Sequence, residues 1–327
     1  MNWKCSLMGL PYGGGKGGIT CDPSELSMAE QERLTRRFAQ EITPFIGPEI
    51  DVMAPDVGTN AQHMAWILDT YSTHLGRFVP EIVTGKPIEL QGSEGRIQAT
   101  GHGVSFLATR ALNKLGLPVQ GATAIVQGYG NVGSYAVETM SAYGMKVQGV
   151  SDITGAIWNR NGLDAEKLRA HVAQTGGVAG FESAESVDPN EMLLRECDVL
   201  VPAALERVIT ENNAPNLRCK ILAEAANGPT TQPADAIIEK RGDIFLIPDI
   251  LCNAGGVTVS YFEWVQNLQR FHWTKTEVLT KLETKLEKAF ESLLAFCDQH
   301  KCGTRLGALA TGIKNVARVK KTRGLFP

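Results

Sequence analysis

The 327-residue chain is predicted to be an α/β protein, a doubly wound parallel sheet joined to a second α/β domain. Three observations carry that expectation. From about residue 121, short apolar runs alternate with longer amphipathic ones, the mark of parallel strands wrapped by helices. A glycine cluster, Gly128-Tyr-Gly-Asn-Val-Gly133, falls between one such run and one such helix. The length, with 43% hydrophobic residues, suits two domains better than one.

Taken in order, the elements are as follows. Ser27 and Glu30 have capping-box spacing, and Leu34, Phe38 and Ile42 then repeat at four-residue intervals, so a helix is expected there. Gly47-Pro48 closes that segment. Residues 51–60, DVMAPDVGTN, are rich in turn formers, and AQHMAWILDTYS after them has a helical pattern. Asp56 is therefore expected in a loop at the end of an element. Strands are expected at 122–127, 145–150, 197–203, 220–226 and 243–248. Thr274 with Glu277 opens a long helix whose stripe Val278, Leu282, Leu286 and Phe290 is a packed face rather than a chemical one.

Composition removes several function classes. Thirty-two basic and thirty-five acidic residues leave a net charge of −3, which offers no broad field for nucleic acid or an anionic membrane. An anionic substrate must then be held by individually placed residues. Seven cysteines from Cys5 to Cys302, without CxxC spacing, point to free thiols in a reducing compartment, and six scattered histidines give no metal-ligand spacing. No apolar run is long enough to span a bilayer, and the N-terminus lacks a secretory core. A cytoplasmic protein is expected, with a processed organellar one as the alternative.

The glycine cluster at 128–133 gains weight from its setting. It follows an expected strand, opens a helix ended by Gly144, and leads to a second strand ending at Asp152. This is the layout of a Rossmann dinucleotide site. Gly128 permits the tight turn, Gly130 lets the backbone approach a pyrophosphate, and Gly133 lets helix and strand pack closely. The helix start at Asn131 and Val132 supplies donors to the phosphates. Asp152 is placed to accept from the adenine ribose hydroxyls and to repel a 2′-phosphate, which favours NAD. Ser151 and Thr154 could adapt the pocket, so NADP stays as the alternative, and a glycine turn without ligand is the bland one.

A second cluster, Pro-Tyr-Gly-Gly-Gly-Lys-Gly-Gly at 11–18, is not a phosphate loop of the GxxxxGK[ST] type, because Gly17 follows the lysine. Glycines on both sides leave Lys16 unobstructed. In a pocket closed to water, desolvation would make it available for acid–base work. A plain surface lysine is the competing reading.

The strings WKCSLMGLPYGGGKGG, APDVGTNAQHMAWILDTYS, VTGKPIELQGSEGRIQATGHGV, GYGNVG and PDILCNAGGVTVSYFEWVQN, in that order, resemble the glutamate dehydrogenase branch of the Glu/Leu/Phe/Val dehydrogenase family. The resemblance covers essentially the whole chain. It implies reversible oxidative deamination of L-glutamate to 2-oxoglutarate and ammonia with NAD or NADP. Lys16 matches the catalytic lysine that activates water, and Asp56 the carboxylate that exchanges protons with the amino group or ammonia. Lys4 matches the residue pairing with the substrate α-carboxylate. Ser260 matches the serine that helps hold the side-chain carboxylate; Val257 and Asn253 line the same pocket and its nicotinamide side. Thr100 and Asn227 are expected at the cofactor, turn chemistry being the other reading of Asn227 and Asn253.

The resemblance also implies two domains around a cleft whose closure brings Lys16 and Asp56 to the nicotinamide. The substrate domain is expected at 1–93, completed by 303–327, with the Rossmann domain at 94–302. Relatives, usually hexamers, carry a further segment ahead of the WKC string that includes a lysine for the side-chain carboxylate. The substrate domain is accordingly expected to be N-terminally truncated. A late start, a short product and a paralogue associating with a full-length partner all account for that. Two other functions follow: a leucine, valine or phenylalanine dehydrogenase, against which Ser260 argues, and a catalytically weak regulatory subunit that binds dinucleotide. Gln98 and His102 stand where the family usually has Glu and Arg.

Overall fold

A computed structural model describes residues 1–324. By contacts the chain divides into two compact units. Among the described residues, a sheet unit takes Asn2–Pro11, Gln98–Gly255 and 283–324; a helical unit takes Tyr12–Ile97 and Gly256–Leu282. The motifs put the expected boundaries at 93/94 and 302/303, whereas contacts group residues from 303 onward with the sheet. The physical reason is visible in the helix Thr304–Arg323. Arg305 grips Glu224 and Asp235, and Gly312 accepts a hydrogen bond from Ser6 at 2.8 Å.

The sheet has seven strands: β1 (Thr123–Gln127), β2 (Lys146–Asp152), β3 (Gly155–Trp158), β4 (Glu185–Val187), β5 (Cys197–Pro202), β6 (Cys219–Ala223) and β7 (Phe245–Ile247). Their order is β4-β3-β2-β1-β5-β6-β7. β2, β1, β5, β6 and β7 run parallel, and β3 and β4 add an antiparallel edge. All five expected strands are present within about three residues of their expected bounds. Ala124, Ile125 and Val126 of β1 and Val199, Leu200 and Val201 of β5 are buried in succession, as in a sheet covered on both faces. The core below them contains Ile125, Met192, Leu200, Ile209, Leu217 and Leu222. β3 and β4 were not expected, because four and three residues, the latter mostly exposed and polar, make no apolar run.

Glu224, just past β6, is fully buried. Its Oε2 accepts from the Asp249 N–H at 3.0 Å and from Arg305 at 2.9 Å, and its Oε1 accepts from Arg305 at 2.6 Å. Removing one partner of such a pair strands the other charge without solvent. Arg305→Ala is expected to cost about 3–5 kcal/mol of unfolding free energy, measured by urea titration of the whole chain. A change below about 1 kcal/mol, the range of a surface pair, would show this pair to be solvated.

In the helical unit, Ser27 and Glu30 form the expected capping box at the start of helix Met28–Ile42, and Asn60 caps helix Ala61–Leu75. The packing face of the first differs from expectation. Thr35 and Ala39 are its buried residues, while Leu34, Phe38 and Ile42 are half-buried. The core gathers Ala39, Ile46, Met64, Ile67, Leu68, Tyr71, Val79, Ile82 and Val83. Among the described residues, backbone pairing in this unit is confined to the bridges Gly47↔Asp51 and Met53↔Val83. Helix Lys275–His300 buries Val278, Leu282, Leu286 and Phe290 as expected, and Thr274 and Glu277 cap it reciprocally. All seven cysteines are free thiols, and no described helix is long and apolar enough to cross a membrane.

Candidate active site

The strand order reverses between β1 and β5, and ligands of doubly wound sheets bind at the carboxyl ends of such strands. The glycine turn sits there. Gly128 has φ +101°, and a Cβ on it would fall 2.8 Å from the Ala204 nitrogen. A Cβ on Gly133 would fall 1.8 Å from the Gly128 carbonyl oxygen, so the turn is closed backbone against backbone. Gly130 is the opposite case, with nothing within 4 Å of an added Cβ. It caps helix Asn131–Ala142 without a side-chain hydrogen bond, which leaves the approach to Asn131, Val132 and Gly133 clear of its cap residue. An uncapped helix start beside an open glycine is a fitting cradle for a pyrophosphate.

Asp152 is more occupied than the sequence suggests. Its Oδ1 accepts from the Thr154 N–H at 2.7 Å and the Thr154 hydroxyl at 2.5 Å, and its Oδ2 accepts from the Val178 N–H at 2.9 Å. A carboxylate has about four acceptor sites, so three internal bonds leave room for a ribose hydroxyl but give the residue a second duty. Thr100 lies in the first turn of helix Ala99–Lys114, where Gly255 packs so closely that an added Cβ would be 3.2 Å from the Thr100 Cα.

Also in the sheet unit, Lys4 donates to Asn253 Oδ1 at 2.5 Å. Asn253 in turn donates to Asn227 Oδ1 at 2.9 Å and to the Ala226 carbonyl at 3.2 Å. The residue expected at the substrate α-carboxylate and two expected at the cofactor therefore share one hydrogen-bonded network. Asn253 also terminates the short helix Asp249–Cys252, so its turn role and its place in the network coexist.

The helical unit brings together Lys16 and Asp56, the pair expected to transfer protons. Asp56 sits in a turn held by its N–H on the Thr59 hydroxyl at 2.8 Å, and its Oδ1 accepts from the Val57 N–H at 2.9 Å. Its Oδ2 is ion-paired with Lys16. The two side chains are 64% and 51% exposed, so the pair supplies juxtaposition rather than burial. Tyr12, which leads into the glycine loop, packs edge-on against Tyr261 and Trp264. Those rings follow Val257 and Ser260 at three- and four-residue intervals on helix Gly255–Gln269, one face of it.

Ser260 Oγ accepts from Arg96 Nε at 3.1 Å. Burial holds the Arg96 guanidinium below its ordinary value, and the nearby Glu263 carboxylate opposes that shift. Arg96, Lys86, Glu263 and Asn267 are the residues that sequence reasoning missed. The available signal was a charge inside an apolar string: Glu263 interrupts VTVSYF and WVQN one turn beyond Ser260. Chemically, the chain offers a cation–carboxylate pair for proton exchange, a guanidinium–hydroxyl pair for a carboxylate, and a helix start for phosphate.

The doubly wound sheet with an open glycine turn at its switch point defines a Rossmann-type α/β protein, and the Lys16–Asp56 and Arg96–Ser260 pairs are its candidate site groups. Family models for Glutamate/Leucine/Phenylalanine/Valine dehydrogenase match residues 92–324, and for the Glu/Leu/Phe/Val dehydrogenase dimerisation domain residues 1–73. The chain belongs to this family. It is 48% identical to a glutamate dehydrogenase of Thermotoga maritima, covering 100% of this chain and 79% of that protein. Among solved structures it is similar to the hetero-hexameric glutamate dehydrogenase of Thermus thermophilus in a Leu-bound form, with TM-score 0.94, 35% identity and coverage of 100% and 77%. It is likewise similar to glutamate dehydrogenase of Peptoniphilus asaccharolyticus, with TM-score 0.87, 39% identity and coverage of 100% and 78%.

Proposed function

We propose that the chain catalyses reversible oxidative deamination of L-glutamate to 2-oxoglutarate and ammonia, with NAD as hydride acceptor. The observation that carries this reading is the Arg96–Ser260 pair in the same unit as the Lys16–Asp56 pair. A guanidinium beside a hydroxyl suits a side-chain carboxylate and would leave an apolar side chain facing unpaired polar groups, which disfavours leucine, valine or phenylalanine as substrate. Lys16 stabilises the carbinolamine oxygen formed when water adds to the imine, and Asp56 exchanges protons with the departing amine. Lys4 pairs with the substrate α-carboxylate. A bound dinucleotide would supply the hydride chemistry; Gly128, Gly130, Asn131, Val132 and Gly133 would hold its pyrophosphate, and Thr100, Asn227 and Asn253 would make further contacts to it. Asp152 favours NAD over NADP by its charge.

The test is the initial rate of 2-oxoglutarate-dependent NADH oxidation with ammonium, beside NADPH and 2-oxoisocaproate. A rate with NADH and 2-oxoglutarate supports the reading. Binding of NADH without turnover would support the regulatory-subunit alternative, and preference for 2-oxoisocaproate the apolar one. Arg96→Leu is expected to raise the glutamate KM by about tenfold or more, since sites built around hydrogen bonds discriminate strongly when a partner is lost. A glutamate KM unchanged in this variant would remove Arg96 from substrate recognition.

The chain is further proposed to act as an oligomer in the cytoplasm, alone or with a longer paralogue. The matched dimerisation-domain model and the hetero-hexameric neighbour support assembly. Light scattering of the purified chain, with and without a co-expressed paralogue, distinguishes the two.

A further inference from the structure

Glu263 and Lys86 form an ion pair whose side chains are both 0% exposed. All three Lys86 donors are spent, on the Val83 carbonyl at 3.0 Å, Glu263 Oε1 at 2.8 Å and Asn267 Oδ1 at 2.6 Å. Glu263 Oε2 accepts from the Gly85 N–H at 2.9 Å. A buried pair of this kind is a poor source of stability, because desolvation offsets the attraction. What it fixes is geometry, and here it holds two arms at once.

The first arm leads to the carboxylate reader. Ser260, Glu263 and Asn267 succeed one another at three- and four-residue spacing, one face of helix Gly255–Gln269. Asn267 donates to the Gln91 carbonyl at 2.8 Å and Gln266 to Ser93 Oγ at 2.8 Å. Segment 83–96 is thus stitched along the helix from Glu263 outward and delivers Arg96 to Ser260. The second arm leads to the proton-transfer pair. Gly85 has φ +77°, and a Cβ on it would lie 2.7 Å from Pro55 Cδ, the residue before Asp56. The Met53 N–H donates to the Ile82 carbonyl at 3.0 Å, and the Thr84 N–H donates to the Met53 carbonyl at 2.8 Å. Fixing Gly85 therefore fixes the strand-like run 53–55 from which Asp56 hangs.

We propose that Glu263, charge-paired with Lys86, is a positioning residue that sets the Arg96–Ser260 pair and the Asp56 loop in one frame. The inference rests on the glutamate reading of that site for its kinetic consequence, and on packing alone for its structural one.

The experiment compares the parent with Glu263→Gln, Glu263→Asp and the double variant Lys86→Met/Glu263→Met. Each is measured for Tm, glutamate KM and kcat, and amide hydrogen exchange over residues 53–60 and 82–96. Glu263→Gln leaves the Lys86 ammonium buried without its counter-charge and is expected to lower Tm. The double variant removes both charges but leaves the Val83 carbonyl, Asn267 Oδ1 and the Gly85 N–H without these partners, so it is expected to regain only part of the Tm lost in Glu263→Gln. A merely structural pair would leave KM, kcat and exchange unchanged in a folded double variant. A positioning pair would not: glutamate KM stays raised about tenfold, kcat falls, and exchange over both segments stays fast, since small misplacement carries large kinetic cost. Parent-like KM, kcat and exchange in the folded double variant would overturn the proposal. If the double variant does not fold, Glu263→Asp decides, since it keeps the charge and withdraws the carboxylate by one methylene; parent-like KM and exchange there would overturn it equally. Absence of glutamate turnover in the parent would sink the glutamate reading, and the exchange data would still decide the positioning.

Discussion

Lys16→Ala is expected to lower kcat for glutamate by at least about 10²-fold, the usual scale for losing a positioned proton-transfer group. NADH affinity, measured by fluorescence, is expected to stay within about twofold of the parent, because Lys16 lies outside the sheet unit that carries the glycine turn. The loss reflects what a lysine does that other cations do not. It can stabilise a developing oxyanion and still give up a proton, whereas a guanidinium stays protonated, so Lys16→Arg is expected to remain impaired. Asp56→Asn removes the other half of the ion pair and is expected to slow both directions, because an amide cannot take the ammonium proton. A kcat near the parent value for Lys16→Ala would assign proton transfer to another group.

The second large effect concerns the glycine turn, where two substitutions separate fold from ligand. Gly128→Val places a β-branched residue at φ +101° and drives its Cβ to 2.8 Å from the Ala204 nitrogen. Strain of that kind costs about 1–3 kcal/mol and overpacking a similar amount, so Tm and NADH affinity are both expected to fall. Gly130→Val adds its side chain to open space at φ −72°. Tm is expected to hold while NADH affinity drops about tenfold or more, because the added groups occupy the pyrophosphate's approach. Full NADH affinity in Gly130→Val would move the phosphate site away from this turn.

The sheet unit was largely legible because its signals are local. A strand–glycine–helix unit advertises itself in about thirty residues, and buried parallel strands leave near-continuous apolar runs. Both capping boxes were equally readable, each needing only two residues at fixed spacing. Helix Ala99–Lys114 escaped notice for the complementary reason: Gln98 offers no capping bond, so nothing announces the start. Gln98 Oε1 has no hydrogen-bond partner among the described residues, whereas His102 Nε2 meets Glu283 Oε1 at 2.7 Å. The Lys86–Glu263 pair was illegible because its members stand 177 positions apart, and no window of sequence contains both. Lys16 and Asp56 were reached through motif resemblance, and the pairing between them through the fold.

The three internal hydrogen bonds on Asp152 bear on how cofactor choice can be altered. A residue held only for its charge can be swapped freely between NAD-type and NADP-type side chains. Asp152 also ties the β2–β3 turn to Val178, so exchanging it dismantles a piece of scaffold along with the proposed selectivity element. The route of least disruption leaves the carboxylate in place and works on its neighbour Ile153, whose side chain is fully exposed at the tip of the turn. The proposed preference for NAD would thus share its carboxylate with the scaffold, and redesign would begin one residue further on.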